Sequence, residues 1–102
     1  MRELATLTIH LQDGFFGDTV VVSLDGDEIA RREGVTTDLR LSRAAVVETE
    51  VVDGDRIITV ALPERGLAAE LALPLAGEVV VAANVREGRL ELSALEEQQY
   101  YL

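Results

Sequence analysis

Four aspartates next to glycines are the residues best placed in this sequence to bind an ion. Asp13 and Asp18 flank the phenylalanines of the segment QDGFFGD, and Asp53 and Asp55 belong to the segment DGD. Ca²⁺ takes about six to eight oxygen ligands, often loop carboxylates and carbonyls. Asp-Gly is also typical of tight β-turns, and the EF-hand spacing is absent. The four aspartates therefore predict either a Ca²⁺- or carbohydrate-binding site in acidic loops, or turn chemistry alone.

Groups suited to catalysis are few. His10 is the only histidine, and the absence of cysteine excludes disulfides, thiolate metal sites and cysteine nucleophiles. Neither the G-x-S-x-G nor the H-E-x-x-H motif is present. Glu48 and Glu50 share a strand face beside valines, which is more typical of a solvated sheet surface than of a glycosidase pair. We expect a protein that is not an enzyme and has no cofactor.

The aromatic residues form two pairs, and all four are candidates for binding a partner. Phe15 and Phe16 lie in the loop of Asp and Gly, and Tyr100 and Tyr101 lie close to the end of the sequence. A lid over the core is one interpretation, with aromatic pairs adding about 0.5–1.5 kcal/mol beyond area burial. An exposed patch that binds a protein is the other. One Phe can also point inward and one outward, because neighbours on an extended segment face opposite ways.

The hydrophobic pattern that must position these residues repeats every second residue. It is seen in LTIHL, TVVVSLD, VTTDLRLSR, RIITVAL, LAAELALPL, EVVVAANV and RLELSAL. Each segment predicts a strand with one buried face, and the two DGD segments predict hairpin turns. Strands of this length and spacing indicate an all-β sandwich or barrel. With 102 residues, 48% of them hydrophobic, the chain is expected to form a single domain over residues 1–102.

Counting the predicted turns assigns each loop to an end of the sandwich. If the chain reverses at every turn, the Phe15–Phe16 segment, the second DGD turn and the segment EEQQYYL share one end. This count predicts that the four aspartates converge there and that all four aromatic side chains lie together.

The net charge and the predicted strand edges indicate which classes of partner the protein can bind. A net charge of -10 repels phosphate groups, so nucleic acid and anionic membranes are excluded as partners. AVVETEVV and EVVVAANV carry valine on both faces, which favours either contact with a protein partner or a second copy in a homodimer, or two central strands with ordinary surface valines. EIARRE is typical of a charged edge strand. Pro74 indicates either an edge strand or a position where no ladder N–H is needed. The sequence shows neither a signal peptide nor a long apolar run, which predicts a cytoplasmic protein.

One longer segment carries a resemblance. The pattern HLQDGFFGDTVVVSLDGDEIARREGVTTDL, with an aromatic-Leu tail, resembles small, uncharacterised bacterial all-β proteins of immunoglobulin-like architecture. Strand spacing is similar over most of the chain, whereas specific motifs are confined to the first forty residues. The resemblance implies an antiparallel immunoglobulin-like β-sandwich of about seven to nine strands and, since no activity is assigned to that family, transfers no functional residues. The expected function is a non-catalytic protein-interaction or accessory binding module.

Overall fold

Eight β-strands and one short 3₁₀ helix make up the part of the chain that the structure describes, residues 3–41 and 43–95 of a computed structural model. In chain order the elements are β1 (Leu4–Leu11), β2 (Asp18–Leu24), β3 (Asp27–Val35), β4 (Ala45–Val52), β5 (Gly54–Leu62), the 3₁₀ helix (Pro63–Arg65), β6 (Leu67–Leu75), β7 (Glu78–Arg86) and β8 (Arg89–Leu95). Sheet A has the strand order β4-β1-β7-β8, and sheet B has the order β3-β2-β5-β6. The chain is an all-β sandwich, as predicted.

Alternation of apolar and polar residues produces the core. Every second side chain is buried in β1, in β2 and in residues 58–62 of β5, and the intervening side chains are half-buried or exposed. The fully buried side chains include Leu7, Ile9, Leu11, Val20, Val22, Ile58, Val60 and Leu62. Each stabilises the fold by about 1.5–3 kcal/mol through removal of apolar surface from water. Both sheets contribute to this one cluster of buried residues.

One strand pair departs from the predicted antiparallel arrangement. β1 pairs with β4 antiparallel, but it pairs with β7 parallel, from Thr6 opposite Glu78 to Leu11 opposite Ala83. The other pairings between named strands are antiparallel. Sheet A is therefore mixed, with the first strand between two strands that come much later in the chain.

The strand predicted for VTTDLRLSR is wrong. β3 continues through Gly34 and ends at Val35, and the chain then crosses from sheet B to sheet A in the β3–β4 loop, described over residues 36–41 and 43–44. Leu39 and Leu41, predicted to face the core, are exposed. The alternation misleads here because Thr37 turns its hydroxyl to the backbone of another loop instead of continuing a ladder.

Since this strand is missing, the assignment of turns to ends is wrong from residue 36 onward. Ala44 N–H donates to Leu11 O, so β4 starts where β1 ends; Asp53 N–H donates to Glu3 O, so β4 ends where β1 begins. We call one end the Phe end (residues 12–17, 36–41, 43–44, 63–66 and 87–88) and the other the Asp end (residues 25–26, 53 and 76–77). β8 runs from the Phe end toward the Asp end. Tyr100 and Tyr101, predicted to lie beside the phenylalanines, fall outside the described residues.

The predictions of which strands lie at a sheet edge agree with the structure. β3, β4, β6 and β8 are the sheet edges. The charged segment EIARRE lies in β3 and Pro74 lies in β6, so both predictions of an edge strand are confirmed, although β3 is nine residues long. Of the two valine-rich segments, β4 is an edge and β7 lies inside sheet A. Within the described residues, no helix has the length and apolar character needed to cross a membrane.

Candidate functional site

The Phe loop, residues 12–17, separates its two aromatic side chains. Phe15 is 1% exposed and is the largest of the fully buried side chains, whereas Phe16 is 85% exposed. The third arrangement considered above, one Phe inward and one outward, is thus the observed one. The ring of Phe15 lies in the core at the Phe end of the sandwich, so of the two phenylalanines only Phe16 is exposed to a partner.

Hydrogen bonds fix the Phe loop to the β3–β4 loop. Phe15 N–H donates to Thr37 Oγ1 (3.0 Å), and Thr37 Oγ1 donates to Gln12 O (2.6 Å). Thr37 N–H donates to Phe15 O (2.9 Å), and Gly17 N–H donates to Thr36 Oγ1 (2.8 Å). The backbone on both sides of Phe16 is thereby held while its ring remains in water.

The opposite side of the Phe loop is fixed to β7. Val85 N–H donates to Asp13 O (2.8 Å), and Asp13 N–H donates to Asn84 Oδ1 (2.9 Å). Gly14 has φ of +87°, and a Cβ there would lie 2.1 Å from Val85 O. Only glycine allows this approach, because any side chain would overlap the Val85 carbonyl.

A part-buried ion pair completes the support. Asp18 is 4% exposed, and its carboxylate accepts from Arg65 Nε (2.9 Å), Arg65 Nη2 (2.7 Å) and Phe16 N–H (2.7 Å). Arg65 Nη2 also donates to Gly14 O (2.9 Å). Both oxygens of Asp18 are thus engaged within the fold, in a bidentate contact of the kind that guanidinium forms with carboxylates.

The predicted convergence of four aspartates is wrong. Asp13 and Asp18 lie at the Phe end, whereas Asp53 and Asp55 lie at the Asp end, because β4 runs the length of the sandwich before the second DGD turn. Across residues 3–41 and 43–95, no group of three or more His, Cys, Asp or Glu side chains is placed to hold a metal ion. The acidic loops therefore offer no shared site built from these four residues.

Two leucines of the β3–β4 loop are also exposed at the Phe end. Leu39 is 88% exposed and Leu41 is 65% exposed. Their turn is closed by Asp38, whose N–H donates to Arg43 O (3.0 Å) and whose O accepts from Leu41 N–H (3.1 Å). We call Phe16, Leu39 and Leu41 the apolar tip. Sequence reasoning missed the two leucines because it placed them in a strand. Asp38, a residue type that favours turns, was the signal available in the sequence.

The remaining polar candidates lie on the outer face of sheet A. His10 is half-buried, between Val46 of β4 and Ala82 of β7, as expected for an outward side chain of β1. Glu48 and Glu50 are exposed on β4. These side chains form an ordinary solvated sheet surface.

The Asp end holds a recess beside an arginine–aspartate pair. The recess has a volume of about 420 Å³ and is lined by Asp55, Arg56, Ile57, Ala72, Leu73 and Pro74. Asp25 accepts from Ile57 N–H (2.8 Å) and from Arg56 Nε, and Arg56 Nη1 donates to Val52 O (2.6 Å). The Ile57 N–H and, second, the Arg56 guanidinium hold the pKa of Asp25 below its usual value of 3.8.

This depressed pKa predicts a pH dependence of stability. Ionised Asp25 stabilises the fold fully above the usual aspartate pKa, and the contribution disappears as the pH falls through the lower pKa of the folded state. We expect the stability difference between wild type and Asp25→Asn to shrink as the pH falls from 7 to below about 4. Urea unfolding at several pH values measures it. Asp27→Asn, with the same loss of charge at the first residue of β3 next to the turn, is the control, and a difference that is constant with pH would contradict the prediction.

Comparison of the chain with protein-family models, curated proteins and solved structures found no match. The immunoglobulin-like resemblance therefore stays a prediction from the sequence pattern, and the candidate site rests on its own geometry.

Proposed function

We propose that the protein is a non-catalytic interaction module that binds a protein partner through the apolar tip. The observation that carries this proposal is the contrast between neighbours: Phe15 is 1% exposed and Phe16 is 85% exposed in a loop fixed from both sides. The buried ring of Phe15 already supplies the contact between this loop and the core. The exposed ring adds nothing to the core and is available to a partner.

The energetics favour binding by this tip. Burying each large apolar side chain of the tip against a partner stabilises a complex by about 1.5–3 kcal/mol, because apolar surface is removed from water. Aromatic anchors at the centre of a contact often dominate its energy. The hydrogen bonds of Thr36 and Thr37 hold the Phe loop before binding, so little conformational entropy is lost on association.

The class of partner follows from the charge. A protein with a net charge of -10 is repelled by nucleic acid and by anionic membranes, so a protein surface is the favoured partner. We do not extend the proposal to Ca²⁺ or carbohydrate, because the acidic loops are divided between the two ends. A bacterial, cytoplasmic setting stays a prediction of the sequence.

Site-specific photo-cross-linking tests the proposal. A photo-reactive amino acid is placed at position 16 or 39, and as a control at the exposed Glu70 on β6, in cells that produce the protein natively. We expect one discrete product from positions 16 and 39 that position 70 does not give. Products at all three positions alike, or at none of them, would refute binding by the apolar tip.

A further inference from the structure

The Asp end carries negative charge that arginine does not balance. Arg56 is the arginine that the structure describes there, and its guanidinium is already held by Asp25 and by Val52 O. None of the ion pairs between described residues includes Asp53 or Asp55. The described acids at or beside this end are Glu3, Asp25, Asp27, Asp53, Asp55 and Glu78. The electrostatic field of this end therefore attracts cationic groups.

Two adjoining depressions give the Asp end a concave surface. The apolar side of the recess, whose volume is about 420 Å³, is lined by Ile57, Ala72, Leu73 and Pro74. A second depression, of about 490 Å³, is lined by Asp25, Val52, Asp53, Gly54, Asp55 and Arg56. Asp55 and Arg56 line both, so the two depressions are continuous. We call them together the Asp-end groove, with an apolar half at the recess and an acidic half at Asp53 and Asp55.

The strand register explains how the two halves of the Asp-end groove are spaced. Ala72 of β6 is paired with Ile57 of β5, and Pro74 is paired with Asp55. The small side chain of Ala72 leaves space beside Ile57, which is 45% exposed. Because β6 is a sheet edge, no described strand lies beyond it. Asp55 and Ile57 are two positions apart on one face of β5, which separates the acidic and apolar contacts by about 7 Å.

We propose that the Asp-end groove binds an extended, basic segment of another protein. Alternate side chains of an extended segment lie on one face about 7 Å apart, which matches the separation of Asp55 and Ile57. An apolar side chain of the segment packs against Ile57 and Ala72. An arginine or lysine two positions along the segment meets the carboxylates of Asp53 and Asp55.

Charge complementarity identifies the chemistry of this partner. The carboxylates repel nucleic acid and acidic peptides, whereas they attract and orient a basic segment. A polyamine supplies positive charge but has no apolar side chain for the recess, so a polypeptide fits both halves of the groove. Strands of seven to nine residues place the Asp-end groove about 25 Å from the apolar tip. The two surfaces can be occupied together, and the inference does not depend on the proposed function.

Titration with a seven-residue peptide with blocked ends, followed by backbone-amide NMR shifts at about 0.15 M salt, tests the inference. The peptide has leucine at its second position, arginine at its fourth and sixth, and serine elsewhere. We expect a Kd of about 0.1–1 mM, with the largest shifts at Arg56, Ile57, Ala72 and Leu73. Serine in place of the peptide leucine is expected to weaken binding at least about five-fold, and glutamate in place of both arginines is expected to abolish it.

Substitutions in the protein locate the site. Asp53→Asn/Asp55→Asn is expected to weaken binding about five- to tenfold. Glu48→Gln/Glu91→Gln removes the same charge from exposed positions of sheet A. This control is expected to change the Kd by less than about two-fold, because exposed charges are screened over about 8 Å at this salt concentration. Ala72→Arg, also at an exposed position, places a cation in the recess and is expected to abolish binding. Melting temperatures equal to that of wild type confirm that the variants are folded.

Four results would overturn the inference: no shifts up to about 5 mM peptide, shifts spread over the whole acidic surface, equal affinity for the peptide without leucine, or equal weakening by the two charge variants. The last two would show a general attraction between a basic peptide and an acidic protein. The cross-linking experiment at positions 16 and 39 is independent of these results, so the inference and the proposed function can fail separately.

Discussion

Replacing Phe15 with alanine is expected to lower the free energy of unfolding by about 3–5 kcal/mol, whereas Phe16→Ala is expected to change it by less than about 0.5 kcal/mol. The two residues are adjacent and identical, but Phe15 is 1% exposed and Phe16 is 85% exposed. Truncating Phe15 leaves a cavity at the Phe end, whereas truncating Phe16 removes a ring that lies in water.

Thermal unfolding measures the contrast between the two phenylalanines. For a domain of this size each kcal/mol shifts Tm by about 4–8 °C, so Phe15→Ala is expected to lower Tm by at least about 12 °C. Phe15→Leu, which leaves a smaller cavity, gives an intermediate point if the alanine variant does not fold. Equal losses of stability for Phe15→Ala and Phe16→Ala would show that the assignment of inner and outer rings is incorrect.

The second large effect is expected for Arg65→Met, at about 2–4 kcal/mol. Asp18 is 4% exposed and depends on Arg65 for two of its hydrogen bonds, so this change leaves a buried carboxylate without its cation. The Arg65 side chain is 32% exposed, which lets water replace part of the lost contact and keeps the loss below that of a fully buried pair. The Met side chain keeps most of the apolar stem.

A double-mutant cycle with Asp18→Asn separates the ion pair from other effects of these changes. We expect the double variant to be less destabilised than the sum of the single changes, because removing both charges leaves no unpaired ion. Arg40→Met is the matched control: its pair with Asp38 is exposed, with 3.5 Å between Arg40 Nε and Asp38 Oδ1, and is expected to contribute about 0–1 kcal/mol. Additive losses for Asp18 and Arg65 would contradict the coupling.

The fold was predictable where side chains alternate against a continuous ladder. In β1, Leu7, Ile9 and Leu11 are buried as their spacing predicts, because the period of a strand alone decides which face they occupy. The parallel pairing of β1 with β7 was not predictable in this way. Alternation specifies the faces of a strand, but it contains nothing about which distant strand lies alongside.

The candidate site was predictable only in part. Gly14, Asp18 and the two phenylalanines mark an unusual loop in the sequence. The choice between Phe15 and Phe16 as the inner ring, however, depends on hydrogen bonds to Thr36 and Thr37, which join residues 19 and 22 positions apart. The same threonines made residues 35–43 resemble a strand. A local pattern cannot distinguish a threonine that pairs in a ladder from one whose hydroxyl caps another loop.

The parallel pairing of β1 with β7 also constrains the order in which a growing chain can fold. The strands of sheet B all come from residues 18–75, so that sheet can form while the later part of the chain is still being synthesised. β1 can pair with β4 at that stage, but its other edge has no partner strand until β7, Glu78–Arg86, has been synthesised. Until then the first strand presents an unpaired edge, the kind of surface on which nascent chains aggregate. Contacts of such long sequence separation form slowly, so completion of sheet A is expected to be the late step of folding.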